Sequence, residues 1–341
     1  MAAARKPQKL VNLALQGGGA HGAFTWGVVD RILEDGRIAF DAISGTSAGA
    51  MNAVVMIDGL DRGGPDAARE RLEAFWHRVS QGGGRIDAGH AVFDEIIGFW
   101  RSSLQPFRFM PRLAMTASPY RFNPLNINPL LVLLESLVDF DRVRACAAPR
   151  LFVSATNVRT GKIKVFSGSA VTADAVMASA CLPSIFQAVE IDGEAYWDGG
   201  YMGNPALFPF FEDKRTDDTL LIQINPVRRE EVPRTGVAIA ERVSEITFNA
   251  SLLRELRAID FVNRLIAEHR LDETKYRPNY LHRIEATKAL AKHGAASKLD
   301  TDWGFFRELR DAGRKAAATF LKKHYDDIGE RSSFDLRAEF L

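Results

Sequence analysis

Between Lys9 and Ile57 the chain alternates in an order that few architectures accommodate. Lys9 to Leu15 has strand character and stops at Gly17-Gly18-Gly19. Ala20 to Glu34 then carries Phe24, Val28 and Ile32 at helical spacing, and Asp35-Gly36 closes that helix. Phe40 to Ser44 is a second short apolar run, followed by Gly45-Thr46-Ser47-Ala48-Gly49 and by Ala50 to Ile57, which reads as a buried helix. Strand, glycine loop, helix, strand, tight turn, helix is the signature of an α/β fold built on a parallel sheet.

Further along, Asp66 to Gln81 is a polar amphipathic helix. The spacing predicts strands over Leu151 to Thr156 and Lys162 to Phe166 around Thr160-Gly161, and a helix over Val171 to Ser179. Glu190 to Asp198 reads as a hairpin turning at Asp192-Gly193, and Leu220 to Asn225 as another buried strand. From Pro233 the composition shifts: Val237 to Arg270 forms one long amphipathic helix or a pair, and Asp302 to His324 another. Asn279 to Glu285, between them, has strand character. We therefore expect a core over 8–228 and a mostly helical C-terminal extension over 229–341 packed on it.

Composition narrows the class. The chain is 46% apolar and 26% charged, with a net charge of +1, so nothing recommends nucleic acid as a partner. Cys146 and Cys181 are too few for a disulfide framework in 341 residues and suit free thiols in a reducing compartment. No apolar stretch approaches the roughly 20 residues of a membrane span, so the expected location is the cytoplasm, with room for peripheral contact at the inner membrane surface. No metal-binding motif is present, and no metal or cofactor is expected. The sequence leaves the oligomeric state open.

Three motifs carry chemistry. Gly45-Thr46-Ser47-Ala48-Gly49 fits G-x-S-x-G, in which small neighbours let the backbone turn sharply and lift a serine hydroxyl clear of the sheet. A plain strand-to-helix turn whose serine caps the helix is the competing explanation. Gly17-Gly18-Gly19-Ala20-His21-Gly22 leaves backbone N–H groups free to meet negative charge, as an oxyanion hole or as a phosphate cradle. It matches neither the phosphate-loop nor the dinucleotide pattern, which favours the oxyanion hole beside a serine nucleophile. Asp198-Gly199-Gly200 is a simple glycine turn or the carboxylate partner of Ser47. Burial beside Tyr196 and Trp197 is what would raise its basicity.

Taken together and in this order, the motifs resemble the patatin-like phospholipase family over roughly Lys9 to Pro205. The block Ala178-Ser179-Ala180-Cys181-Leu182-Pro183-Ser184-Ile185-Phe186-Gln187-Ala188-Val189 and the stretch Ser118 to Asn126 belong to the same resemblance, the latter to bacterial members. It implies a three-layer α/β/α fold, Ser47 as nucleophile, Asp198 as general base without a histidine, and Gly17, Gly18 and Gly19 as the oxyanion loop. His21 departs from it, standing where many relatives carry Arg or Lys. His282 is the best-placed histidine for a triad, with a structural role the stronger explanation. The implied substrate is a fatty-acyl ester of a phospholipid or lysophospholipid. A neutral lipid, a storage polyester or acyl transfer, and a phosphate- or nucleotide-binding module, are the alternatives. The aromatic, Met- and Arg-rich segment 91–128 is a candidate lid or lipid-contact surface.

Overall fold

In the computed structural model, residues 8–82, 118–212, 215–272, 274–290, 293, 297–298 and 300–340 are described. Of the candidate lid over 91–128, only 118–128 falls among them.

Among the described residues eight strands form one sheet: β1 (Lys9–Leu15), β2 (Ile38–Gly45), β3 (Arg150–Asn157), β4 (Ile163–Ser167), β5 (Val189–Ile191), β6 (Glu194–Asp198), β7 (Asp218–Gln223) and β8 (Tyr280–Glu285). Strands β3-β2-β1-β7-β8 run parallel, while β4, β5 and β6 pair antiparallel at the β3 end. This is the mainly parallel α/β sheet that the alternation at the N-terminus predicts.

The central strands are apolar on both sides because helices cover both. Val11, Leu13 and Leu15 of β1 enter the larger core with Phe24, Val28 and Ile32 of α1 (Gly22–Asp35) and with Val54 and Ile57 of α2 (Ala48–Ser80). Ala14 of β1, Ala42 of β2 and Leu221 of β7 face the other way. There they pack against Leu252, Leu256 and Ile259, one stripe of a 32-residue helix, Gly236–Ala267. Further helices at Pro129–Leu137, Phe140–Ala145, Ala173–Ser179 and Trp303–His324 complete the described layers; in chain order these five after α2 are α3 (Pro129–Leu137), α4 (Phe140–Ala145), α5 (Ala173–Ser179), α6 (Gly236–Ala267) and α7 (Trp303–His324).

Two details refine the sequence reading. Helix α2 continues past Ile57 and leaves helical geometry at Gly63 and Gly64, resuming at Pro65. Asp58 breaks the apolar pattern, yet it is buried: Arg62 and Arg71 pair with it and the Asp139 N–H donates to it at 3.1 Å. A paired carboxylate can sit where an unpaired one could not. Second, the region beyond 229 supplies a strand, β8, in parallel register with β7. Its last long helix lies directly on α1.

That α1–α7 contact depends on two glycines. A Cβ at Gly27 would run into the Arg310 carbonyl, and one at Gly313 into the Phe24 carbonyl, so the backbones meet without side chains between them. Gly313→Ala is expected to lower stability by about 2 kcal/mol, read as a drop in the thermal unfolding midpoint. Gly236→Ala, where a Cβ meets nothing within 4 Å, is the control and should leave the midpoint within error.

Candidate active site

The C-terminal edge of the parallel strands gathers the three motifs. After β2 the Thr46 N–H donates to the Leu15 carbonyl at 3.2 Å, holding the turn against the end of β1. Ser47 then adopts φ 54 and ψ −122, a region that side chains other than glycine's rarely occupy, and α2 begins at Ala48. The Gly49 N–H closes on the Thr46 carbonyl at 2.8 Å. A Cβ at Gly49 would collide with the Leu15 carbonyl, and one at Gly17 would lie 2.7 Å from the Ser47 Cβ. The glycine spacing thus follows from β1 and the elbow being pressed together. The Ser47 N–H donates to the Ser179 Oγ at 2.8 Å, a buried hydroxyl at the end of α5.

Asp198 reaches this point from the opposite direction. One edge of β3 is taken by β4 along Phe152 to Thr156. The other edge is shared: β2 pairs with it up to Gly45 opposite Val153, and β6 takes over with Asp198 opposite Ala155. Since β2 is parallel and β6 antiparallel to β3, the two strands run toward each other and stop nearly end to end. Ser47 and Asp198 occupy the two ends.

The Asp198 main chain is pinned by its N–H to the Cys181 carbonyl and by the Thr156 hydroxyl to its own carbonyl, both at 2.8 Å. Asp198 is not part of a hairpin turn; that role falls to Asp192 and Gly193, at φ 53 and 77. Instead it caps a short 3-10 helix, accepting the Gly200 N–H at 2.7 Å on Oδ1. Burial pushes its carboxyl up to about 7, against the opposing pull of the Gly200 N–H, the Ser47 side chain and the Lys298 charge.

The glycine loop is held by side chains that the sequence reading passed over. Gln16 Oε1 accepts the N–H groups of Ile224 and Asn225, each at 2.9 Å, and Gln16 Nε2 donates to Asn249 Oδ1 at 3.1 Å. Asn204 Oδ1 takes the Gly17 N–H at 2.7 Å, and Asn225 Nδ2 donates to the Gly17 carbonyl at 2.7 Å. Both hydrogen-bonding groups of Gly17 are therefore engaged. The N–H groups of Gly18 and Gly19 donate to no described residue, and Gly19 is exposed. A polar residue directly after an apolar strand, as Gln16 is after β1, is the one signal that could have flagged this network. Lys298, which donates to Asn225 Oδ1 at 2.8 Å, had none.

His21 lies at the loop's end, buried, with Nε2 2.7 Å from the Ser297 hydroxyl. Burial, reinforced by the Lys298 charge, pulls its pKa down to about 3, so the imidazole is neutral at physiological pH. The nearby cation is Lys298. His282 is elsewhere: on β8 opposite Leu220, wholly buried and 2.8 Å from Asp218 Oδ1, it is partnered at the far end of the sheet from Ser47. Cys146 and Cys181 are both free, and burial pushes the Cys181 thiol up to about 12. Among the described residues no group of three His, Cys, Asp or Glu side chains could hold a metal ion, and no helix is long and apolar enough to cross a membrane.

The family model for patatin-like phospholipase matches residues 13–211, more than half of the chain and all three motifs. The chain belongs to the patatin-like phospholipase family, which is a family of lipid acyl hydrolases. Among solved structures it is similar to VipD from Legionella pneumophila, at 14% identity and TM-score 0.37, covering 91% of this chain and 68% of that one. It is also similar to ExoU from Pseudomonas aeruginosa, solved in complex with SpcU, at 18% identity and TM-score 0.31. That match covers 73% of this chain and spans 52% of the ExoU chain. No curated protein matches.

Two measurements probe the geometry. Ser47→Gly is expected to be more stable than Ser47→Ala by about 1 kcal/mol, because glycine relieves the strained φ and ψ; denaturant unfolding reads the difference. Asp198 is protonated in the fold between its unfolded value of 3.8 and about 7, while the unfolded chain has already ionised. Its contribution to stability is thus present at low pH and lost as pH rises through that window. The stability of Asp198→Asn relative to wild type should rise across the same window.

Proposed function

We propose that the protein is a serine acyl hydrolase that cleaves fatty-acyl esters of phospholipids or lysophospholipids through a Ser47–Asp198 dyad. The observation that carries this reading is the end-to-end meeting of β2 and β6, which sets a strained serine against a carboxyl whose buried pKa lies near neutrality. A base that is half ionised at working pH is suited to proton transfer in the transition state.

In the proposed cycle Asp198 takes the hydroxyl proton as Ser47 Oγ attacks the ester carbonyl carbon. The carbonyl oxygen becomes an oxyanion facing the Gly18 and Gly19 N–H groups and the N-terminus of α2. Gly17, with its N–H committed to Asn204, shapes the loop instead of donating. Protonated Asp198 returns the proton to the departing alcohol, leaving an acyl-serine. Water then gives its proton to Asp198 and its oxygen to the acyl carbon, releasing the fatty acid and restoring the hydroxyl. His282, committed to Asp218, takes no part.

A phosphate cradle would draw on the same Gly18 and Gly19 amides, with the Gly17 N–H withheld by Asn204. Within this reading the core, 8–228, carries the chemistry and 229–341 covers it; the two free thiols suit the cytoplasm.

Labelling with an active-site fluorophosphonate tests the dyad. The label is expected on wild type and His282→Gln, to vanish in Ser47→Ala and to fall strongly in Asp198→Asn; label surviving Ser47→Ala overturns the proposal. Turnover of lysophospholipid should rise with pH through an apparent pKa near 7, the value to which Asp198 is raised, and level off above it. Parallel assays on neutral lipid and polyester decide the substrate class.

A further inference from the structure

Helix α6 is built inside out at its start. Its middle is tied to the catalytic edge of the sheet: Asn249 bonds Gln16, the Phe248 carbonyl accepts from Asn204, and the Phe248 ring packs on Tyr201 and against Gly200. Its far end is tied to the opposite edge, where Asn263 exchanges two hydrogen bonds with Asn279 just before β8. The helix therefore runs antiparallel to the parallel strands, and residues 236–247 extend beyond the catalytic edge by about 18 Å.

On that overhang the charged side chains point inward. Glu245 is buried between Arg229 and Arg242, and Arg242 also donates to the Val227 carbonyl at 2.7 Å. The outward stripe is Ile239, Val243 and Ile246, exposed by 47%, 57% and 54% at intervals of four and three residues. Two to three turns beyond Ile246 on the same stripe stand Arg254 and Arg257, both exposed and paired with no acid among the described residues. A soluble surface helix arranges these groups the other way round.

We propose that this face of α6 is the surface by which the protein docks on an anionic phospholipid membrane, an inference that rests on the lipid acyl hydrolase reading. Ile239, Val243 and Ile246 enter the acyl-chain boundary while Arg254 and Arg257 meet headgroup phosphates. Charge complementarity favours this occupant, since an apolar tip backed by unpaired cations matches a lipid surface in both layers. Position favours it too, because the inner side of the same helix walls the Ser47–Asp198 site. Docking along α6 brings the catalytic edge of the sheet close to the substrate.

The test uses the full chain carrying Ser47→Ala, which leaves vesicles intact, in co-sedimentation with phosphatidylcholine vesicles with and without phosphatidylglycerol. Ile239→Ser with Val243→Ser and Ile246→Ser is expected to weaken binding roughly tenfold or more. Arg254→Ala with Arg257→Ala should remove the preference for phosphatidylglycerol and the sensitivity to salt. In the active background the triple variant should keep its thermal midpoint and its turnover of a water-soluble short-chain ester. Unchanged vesicle binding by the triple variant overturns the proposal. So does absence of vesicle binding by the parent chain with a dimer that the triple variant turns into a monomer, which assigns the face to a second copy. Binding is read without catalysis, so failure of docking and failure of the dyad are separate results.

Discussion

Strand β3 offers one of its edges to two strands that arrive from opposite directions, and the proposed active site is the gap where they stop. Parallel β2 delivers Ser47 past Gly45; antiparallel β6 delivers Asp198. Both ends must halt within a residue or two of each other, so the chain around them is small and tightly hydrogen-bonded. Gly45, Gly49, Gly199 and Gly200 each sit where a Cβ would strike neighbouring atoms. The strained φ of Ser47 belongs to the same constraint: a relaxed residue there would carry α2 away from the sheet and the hydroxyl away from the carboxyl.

A second layer of order holds the glycine loop. Parallel strands leave unpaired backbone groups at their C-terminal ends, which is where ligands bind in open α/β sheets. Here Gln16, Asn204, Asn225 and Asn249 consume the groups that are not needed. The Gly18 and Gly19 N–H groups are left without an acceptor among the described residues. The network draws on β1, the segment after β6, the end of β7 and helix α6, so the loop's shape reports on the packing of the whole molecule. Half-buried Lys298 adds a positive charge to it, with His21 beside it held neutral. That lysine comes from the distant C-terminal region.

The order of elements from β1 to α2 was readable from apolar spacing and glycines alone, as was the Asp192-Gly193 hairpin that feeds β6. Local sequence specifies such features because turns and amphipathic periods are local. Asp58 was the counterexample. A charge in an apolar helix ends the sequence pattern, but Arg62 and Arg71, one from the same helix turn and one from beyond the Gly63-Gly64 break, allow it to be buried.

Local sequence already specified the family, the sheet type and the motifs that contain Ser47 and Asp198, because each motif is a short stretch whose tight turns call for small residues at fixed spacing. It did not determine how those residues behave. That the Asp198 carboxyl is pushed up to about 7, that His21 carries no charge, that Gly17 donates to Asn204 and that the first turns of α6 expose Ile239, Val243 and Ile246 are consequences of long-range contact and burial. Desolvation and hydrogen-bond partnership depend on residues as far apart in the chain as Gln16 and Asn249, or Gly17 and Asn204, so only the tertiary structure could decide them.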